Sequence, residues 1–134
     1  MKFLFLYSDV IQISDIPWGL MELGHKVETL EQYFTFEIEN KKQEEFLKNR
    51  LANSNYDAVF GYNFIPCISA ACEACKVPYI SWVYDSPELF LYTKEVKNQY
   101  NYLFVFDKAQ YQELQRFHLP HLWHFPLAVN LSRL

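Results

Sequence analysis

Apolar residues along the chain fall into short runs separated by stretches of helical spacing. The run from Tyr79 to Val83 (YISWV) shows no polar alternation. That is the signature of a strand buried on both faces of a parallel sheet, where helices leave no solvent side. It is predicted as a central strand, ended by Tyr84, Asp85, Ser86 and Pro87, because the residue before a proline is held out of the helical region. Comparable runs predict strands over 2–7 (KFLFLY), 25–30 (HKVETL, with Val27 inward), 56–62 (YDAVFGY), 102–106 (YLFVF) and 122–127.

The intervening stretches predict helices. The first runs over 14–23, with Ser14 or Asp15 as cap, Pro17 in the first turn, Gly24 at the end, and Ile16, Leu20 and Leu23 on one face. A charged helix follows over 40–53, with Phe46, Leu47 and Leu51 as its apolar stripe. Residues 64–76 carry Ile65, Ile68, Cys72 and Cys75 at helical spacing, a short helix is expected around 89–96, and 108–117 turn Ala109, Leu114 and Phe117 inward. Residues 33–38 alternate aromatics with Thr and Glu and fit either an edge strand or an ordered loop.

Strand and helix in regular alternation imply βαβ units with right-handed crossovers and helices on both faces of a mostly parallel sheet. The fold class is therefore three-layer, Rossmann-like α/β. With no internal repeat or linker-like run, residues 1–134 read as one domain.

Composition narrows the function classes. Half of the 134 residues are hydrophobic (51%) and 19% are aromatic, which excludes a disordered chain. A formal charge of −4 and the lack of a basic stripe argue against general nucleic-acid binding. The apolar run of MKFLFLY is too short for a signal-peptide core or a membrane span, so a cytoplasmic location is expected. Cys67, Cys72 and Cys75 form C-x4-C-x2-C, the opening of an iron–sulfur motif without its fourth ligand. Reduced thiols packed on an apolar helix face are expected instead. His118, His121 and His124 are spaced by three, but Pro120 breaks any helix there, so no metal site is expected.

Candidate chemistry lies in the polar residues at strand ends, where open α/β sheets bind ligands. These are Ser8 and Asp9 after the first strand, Asn63 after the third, and Tyr84, Asp85 and Ser86 after YISWV. No glycine-rich loop follows the first strand, which disfavours a dinucleotide or flavin site. Two candidates also have a structural alternative, Asp85 as a helix cap and Asn63 as the tie of a turn, and Asp107 reads as a cap rather than a site residue.

Taken in order, LMELGHKVETL (20–30), YDAVFGYNFIPCIS (56–69), YISWVYDSPELFLY (79–92), YLFVFDKAQYQEL (102–114) and FPLAVNLSRL (125–134) resemble the N-terminal domain of CgeB-like, spore-maturation type glycosyltransferases. The resemblance implies the acceptor-side half of a GT-B fold with strand order 2-1-3-4-5-6. It casts Asp85 as catalytic base or acceptor-orienting group, with Ser8, Asp9, Asn63, Tyr84 and Ser86 as acceptor contacts. It also implies a nucleotide-sugar donor held by a C-terminal domain, no cofactor on this one, and residues 127–134 as the start of the crossover. Without that partner the chain alone is expected to be inactive, and uncovered aromatics (Tyr84, Phe90 and Tyr92) are expected to promote self-association. The competing expectation is a non-catalytic glycan- or protein-binding or regulatory module. A phosphoacceptor receiver shares the implied strand order and would use Asp9 and Lys108, but Asn63 stands where its phosphorylated aspartate belongs, which removes the nucleophile.

Overall fold

The computed structural model describes residues 1–8, 15–30, 33–85 and 87–126. Asp9, Ser14, Ser86 and the expected crossover at 127–134 lie outside the described residues. Six parallel strands form one sheet: β1 (Lys2–Leu6), β2 (Lys26–Thr29), β3 (Ala58–Tyr62), β4 (Tyr79–Val83), β5 (Asn101–Val105) and β6 (Leu122–His124), in the order β2-β1-β3-β4-β5-β6. Helices α1 (Asp15–Glu22), α2 (Lys41–Ala52), α3 (Pro66–Cys75) and α4 (Lys108–Leu114) connect them, with 3-10 turns at Leu89–Tyr92, Lys94–Lys97 and Gln115–Phe117. This is the three-layer α/β architecture that the alternation predicts.

Local chemistry sets the helix ends. The Asn40 side chain accepts from the Gln43 amide at 3.0 Å and caps α2. Asp107 caps α4 through the Ala109 amide at 2.9 Å. Helix α3 starts with Pro66 in its first turn and closes on Lys76 in the left-handed region, φ 57°. Its cap residue Ile65 has no polar side chain, and the buried Tyr79 hydroxyl on β4 takes the Ile65 amide at 3.2 Å instead.

One expectation fails in an informative way. On β4, Tyr79, Ser81 and Val83 are buried, but Ile80 and Trp82 are only half-buried, so the strand is fully covered on one face alone. Crossover direction is the reason. Right-handed connections place a helix on one face when the chain steps one way along the sheet and on the other when it steps back. Only the β1-to-β2 step runs opposite to the rest. Residues of α2, α3, the 3-10 turns and α4 accordingly share the large core with Leu4, Val59, Tyr79, Val83, Leu103 and Val105. Ile16 and Leu20 of α1 form a smaller core with Phe5 and Tyr62 on the other face.

Further differences follow from packing. Leu47 and Leu51 are buried as expected, but Phe46, one helical step from Leu47, is 41% exposed. On α4, Leu114 and Gln110 are buried while Ala109 faces out, and Phe117, at the end of the 3-10 turn that follows, is exposed too. The helix expected at 89–96 is two 3-10 turns, because the Thr93 hydroxyl bonds back to the Phe90 carbonyl at 2.7 Å and its backbone is extended. Residues 33–40 form no strand beyond a bridge between Ser8 and the buried Phe34. Strand β6 ends at His124 rather than 127, short of Pro126, which has no amide to offer a ladder. No described helix is long and apolar enough to cross a membrane.

The cysteines pack as apolar side chains: Cys67 and Cys72 are buried and Cys75 is half-buried, all as free thiols. Burial pushes the Cys67 thiol up to about 12 and the Cys72 thiol well above its ordinary value, so neither is a thiolate at neutral pH. A disulfide-exchange reagent such as DTNB is expected to modify no more than one thiol, Cys75, in the native protein, and three after denaturation. Rapid native labelling of Cys67 or Cys72 would contradict this packing. Of the histidines spaced by three, His121 stacks on Tyr102, with ring centroids 4.1 Å apart, and the His124 Nε2 lies 3.0 Å from the Phe106 carbonyl oxygen.

Candidate functional site

The chain leaves β1 toward β2 and leaves β3 toward β4, so the carboxyl ends of these neighbours flank the switch point at which open α/β sheets place ligands. Asn63, directly after β3, organises this end. It is fully buried, and its φ of 58° is a left-handed conformation that asparagine tolerates better than most residues. Its side-chain oxygen accepts from the Tyr84 and Asp85 amides at 3.0 and 3.2 Å, and its Nδ2 donates to the Asp85 carboxylate at 2.8 Å. Its backbone amide donates to the Trp82 carbonyl at 2.8 Å, and the Ser81 hydroxyl donates to its carbonyl. Asn63 therefore clamps the end of β4 to the end of β3, the turn-tying role open to it from sequence.

Among the expected site residues, the structure brings Asn63, Tyr84 and Asp85 together. Asp85 stands exposed at the rim. Tyr84 is half-buried and packs edge-on against Tyr62 at 5.3 Å, while Tyr7 packs against Phe5 at 5.0 Å. Burial raises all three phenols, Tyr62 most, so the floor of this end is aromatic and neutral. Ser8 is buried in its bridge to Phe34 rather than lining an open crevice. Asp9 and Ser86, also expected here, fall outside the described residues.

Asp85 does not cap the 3-10 turn at Leu89–Tyr92. That role belongs to Glu88, whose carboxylate accepts from the Phe90 amide at 3.1 Å. The Gln110 side chain grips the Glu88 backbone from α4, donating to its carbonyl at 2.9 Å and accepting from its amide at 3.3 Å. Sequence reasoning missed this pair. The available signal was a polar residue, Gln110, one position off the inward spacing assigned to α4. Burial raises the Glu88 carboxyl to about 7, with the Phe90 amide opposing and Asp85 adding to the shift. A carboxyl raised on folding binds its proton more tightly in the native state, so its stabilising contribution is present below about pH 4.5 and is lost as pH rises through about 7. Glu88→Gln keeps an acceptor for Phe90 and removes the titration. We expect it to flatten the fall in stability between about pH 5 and 8, with a gain of about 1–2 kcal/mol at the upper end of that range. Urea midpoints that fall equally with pH in both proteins would rule this out.

The expected aromatic patch also moves. Phe90 stacks on Phe36 at 6.0 Å, and Tyr92 bonds Glu113 and meets Phe117, so neither forms a surface with Tyr84. The exposed aromatics of the sheet are Trp123 and Phe125, at the opposite edge. Chemically, the Asn63 clamp offers an exposed carboxylate, Asp85, bonded to a carboxamide. Among the described residues, no group of His, Cys, Asp and Glu is arranged to hold a metal ion.

No family model matches the chain, and no curated protein does. Among solved structures, it is similar to the receiver domain of a sensor histidine kinase from Pseudomonas aeruginosa, at 17% identity and a TM-score of 0.48, covering 86% of this chain and 94% of that one. That likeness concerns the fold. The glycosyltransferase expectation is corrected by these findings: no transferase family model and no curated transferase matches the chain, and the solved structure it is similar to is a receiver domain. The GT-B half, the transferase activity, the C-terminal partner domain and the self-association inferred from its loss fall with it. The physical reason is that the end of β4 at Tyr84-Asp85 and the FDKA segment are a clamped strand end and a helix cap, which this architecture requires whatever its function; Ser86 and most of PLAVN lie outside the described residues.

Proposed function

We propose that the chain is a non-catalytic regulatory module that acts by binding a protein partner, and that it works in the cytoplasm, where its three free thiols stay reduced. The observation that carries this reading is the Asn63 clamp. The strand end beside the switch point is where such a sheet would place a reacting side chain, and there the residue is a carboxamide. It has no nucleophile, and both ends of its side chain are committed to Tyr84 and Asp85. Tyr84 and Asp85, held in place by the buried Asn63 with Ser8 behind them, and with Asp9 and Ser86 next to Ser8 and Asp85 in the sequence, make up the proposed contact edge.

The test is incubation with acetyl phosphate and Mg2+, read by intact mass. The expected outcome is an unchanged mass. Gain of one phosphoryl group would overturn the reading, because the module would then be a phosphoacceptor.

A further inference from the structure

Between the end of β4 and the first 3-10 turn, one polar side chain points inward. Asp85 and Pro87 are exposed and Leu89 is 69% exposed, whereas Glu88 is only 6% exposed. Fixed points lie on either side. The Asn63 side chain holds the Tyr84 and Asp85 amides, and Leu91 is fully buried in the large core. Residues 87–90 are thus a short strap between two anchors. Its ties run through Glu88 and Phe90: the Glu88 carboxylate on the Phe90 amide, the two bonds from Gln110 to the Glu88 backbone, the Leu91 amide on the Glu88 carbonyl at 3.4 Å, and the stack of Phe90 on Phe36.

We propose that this strap is a pH-operated latch beside the contact edge: with a proton on Glu88 it stays closed against α4, and with Glu88 ionised it opens and turns a second carboxylate out beside Asp85. That it gates a contact rests on the reading of Tyr84 and Asp85 as the edge a partner meets; the latch itself does not. The groups around Glu88 decide the direction. Among the described residues, the ionisable groups that face it are the Asp85 carboxyl and the Tyr79 phenol, both from β4, and burial keeps that phenol neutral. Helix α4 meets it with Gln110, which is uncharged and 4% exposed. No Lys, Arg or His is among these groups, so an ionised Glu88 has the Phe90 amide on its side and burial and the Asp85 charge against it. Hydration is the remaining relief. The strap can supply it by a local opening, because Pro87 and Leu89, on either side of Glu88, already lie at the surface. With the carboxyl at about 7 in the closed strap and at its ordinary 4.5 once hydrated, the opening equilibrium should rise about 70-fold between about pH 5 and pH 8.

Amide hydrogen exchange of the full chain across that pH range reads the latch, once each rate is divided by the rate of an unstructured peptide at the same pH. Protection of the Glu88, Phe90 and Leu91 amides should fall by that factor in the parent and stay level in Glu88→Gln, which keeps an acceptor for Phe90 and does not titrate. Low urea separates the strap from unfolding of the whole domain. A local opening exposes little surface, so the strap amides should exchange at unchanged rates, while the Val59 and Leu103 amides, bonded within the sheet to the Pro78 and His121 carbonyls, speed up with urea. Strap protection that is level with pH in the parent would overturn the proposal. So would an equal fall in Glu88→Gln, or strap amides that follow urea together with Val59 and Leu103. A failed latch leaves the binding-module reading standing, whereas phosphorylation by acetyl phosphate removes that reading without altering the exchange result.

Discussion

Asn63→Asp is expected to lower stability at pH 7 by about 2–4 kcal/mol, a large fraction of what a domain of this size possesses. The change swaps one side-chain atom, so volume and the left-handed backbone are preserved. The bonds from the Tyr84 and Asp85 amides also survive, since one oxygen remains in place. What is lost is the Nδ2 donor to Asp85, and what replaces it is a carboxylate at hydrogen-bond distance from another carboxylate, at a fully buried position. The clamp itself contains no cation to offset the two charges, so one of the pair must hold a proton to remain folded. Its folded-state pKa is therefore raised, and the stabilising contribution is present at low pH and lost as pH rises. The deficit relative to the parent should shrink toward about pH 4 and be greatest at neutral pH. Urea denaturation across that range measures it, and a variant as stable as the parent at neutral pH would mean that Asn63 does not clamp the strand end.

The second large effect is expected at the opposite end of the sheet. Asn101→Leu, nearly isosteric, should cost about 3–4 kcal/mol. Asn101 is 2% exposed, accepts from the Ser69 hydroxyl at 2.7 Å and donates to the Glu95 and Val96 carbonyls at 2.8 and 3.2 Å. Asn98 donates to the same Ser69 hydroxyl at 3.0 Å. Removing the central amide takes the side-chain donor from the Val96 carbonyl and an acceptor from the Ser69 hydroxyl, which then has only the Glu95 carbonyl at 3.2 Å to donate to, and the 3-10 turn Lys94–Lys97 loses part of its hold on β5. The double change Ser69→Ala with Asn101→Leu should cost less than the sum of the single changes, because two members of one network vanish together. Additive losses would show that the hydroxyl and the amide act independently.

The strands were legible because a parallel sheet asks each one for the same thing, a short apolar run ended by polar residues, and YISWV and KFLFLY supply it. Coverage of the two faces was not legible. Ile80 and Trp82 are as hydrophobic as Tyr79 and Val83, and only the direction of each crossover decides which pair meets a helix. The site shows the same division. Asn63 announces a turn by its residue type, but its partners are 21 and 22 positions away, and strand order alone brings them to it. Glu88 and Gln110 broke the apolar spacing without marking themselves as a pair. The family resemblance went wrong for a related cause, since it was drawn from segments whose polar residues are fixed by strand ends and caps.

The strand order also has a consequence for synthesis of the chain. β1 is made first, yet it lies inside the sheet, and Leu4 pairs with Val59, which follows 55 positions later. Until β3 emerges from the ribosome, Lys2–Leu6 has no neighbour on that side, and its buried Phe3, Leu4 and Phe5 stand open to wrong partners. Non-local parallel pairing is slow to close, and exposed apolar strands aggregate while they wait. A nascent chain stalled before Tyr62 should therefore be a substrate for holding chaperones, and one stalled after Val83 should not.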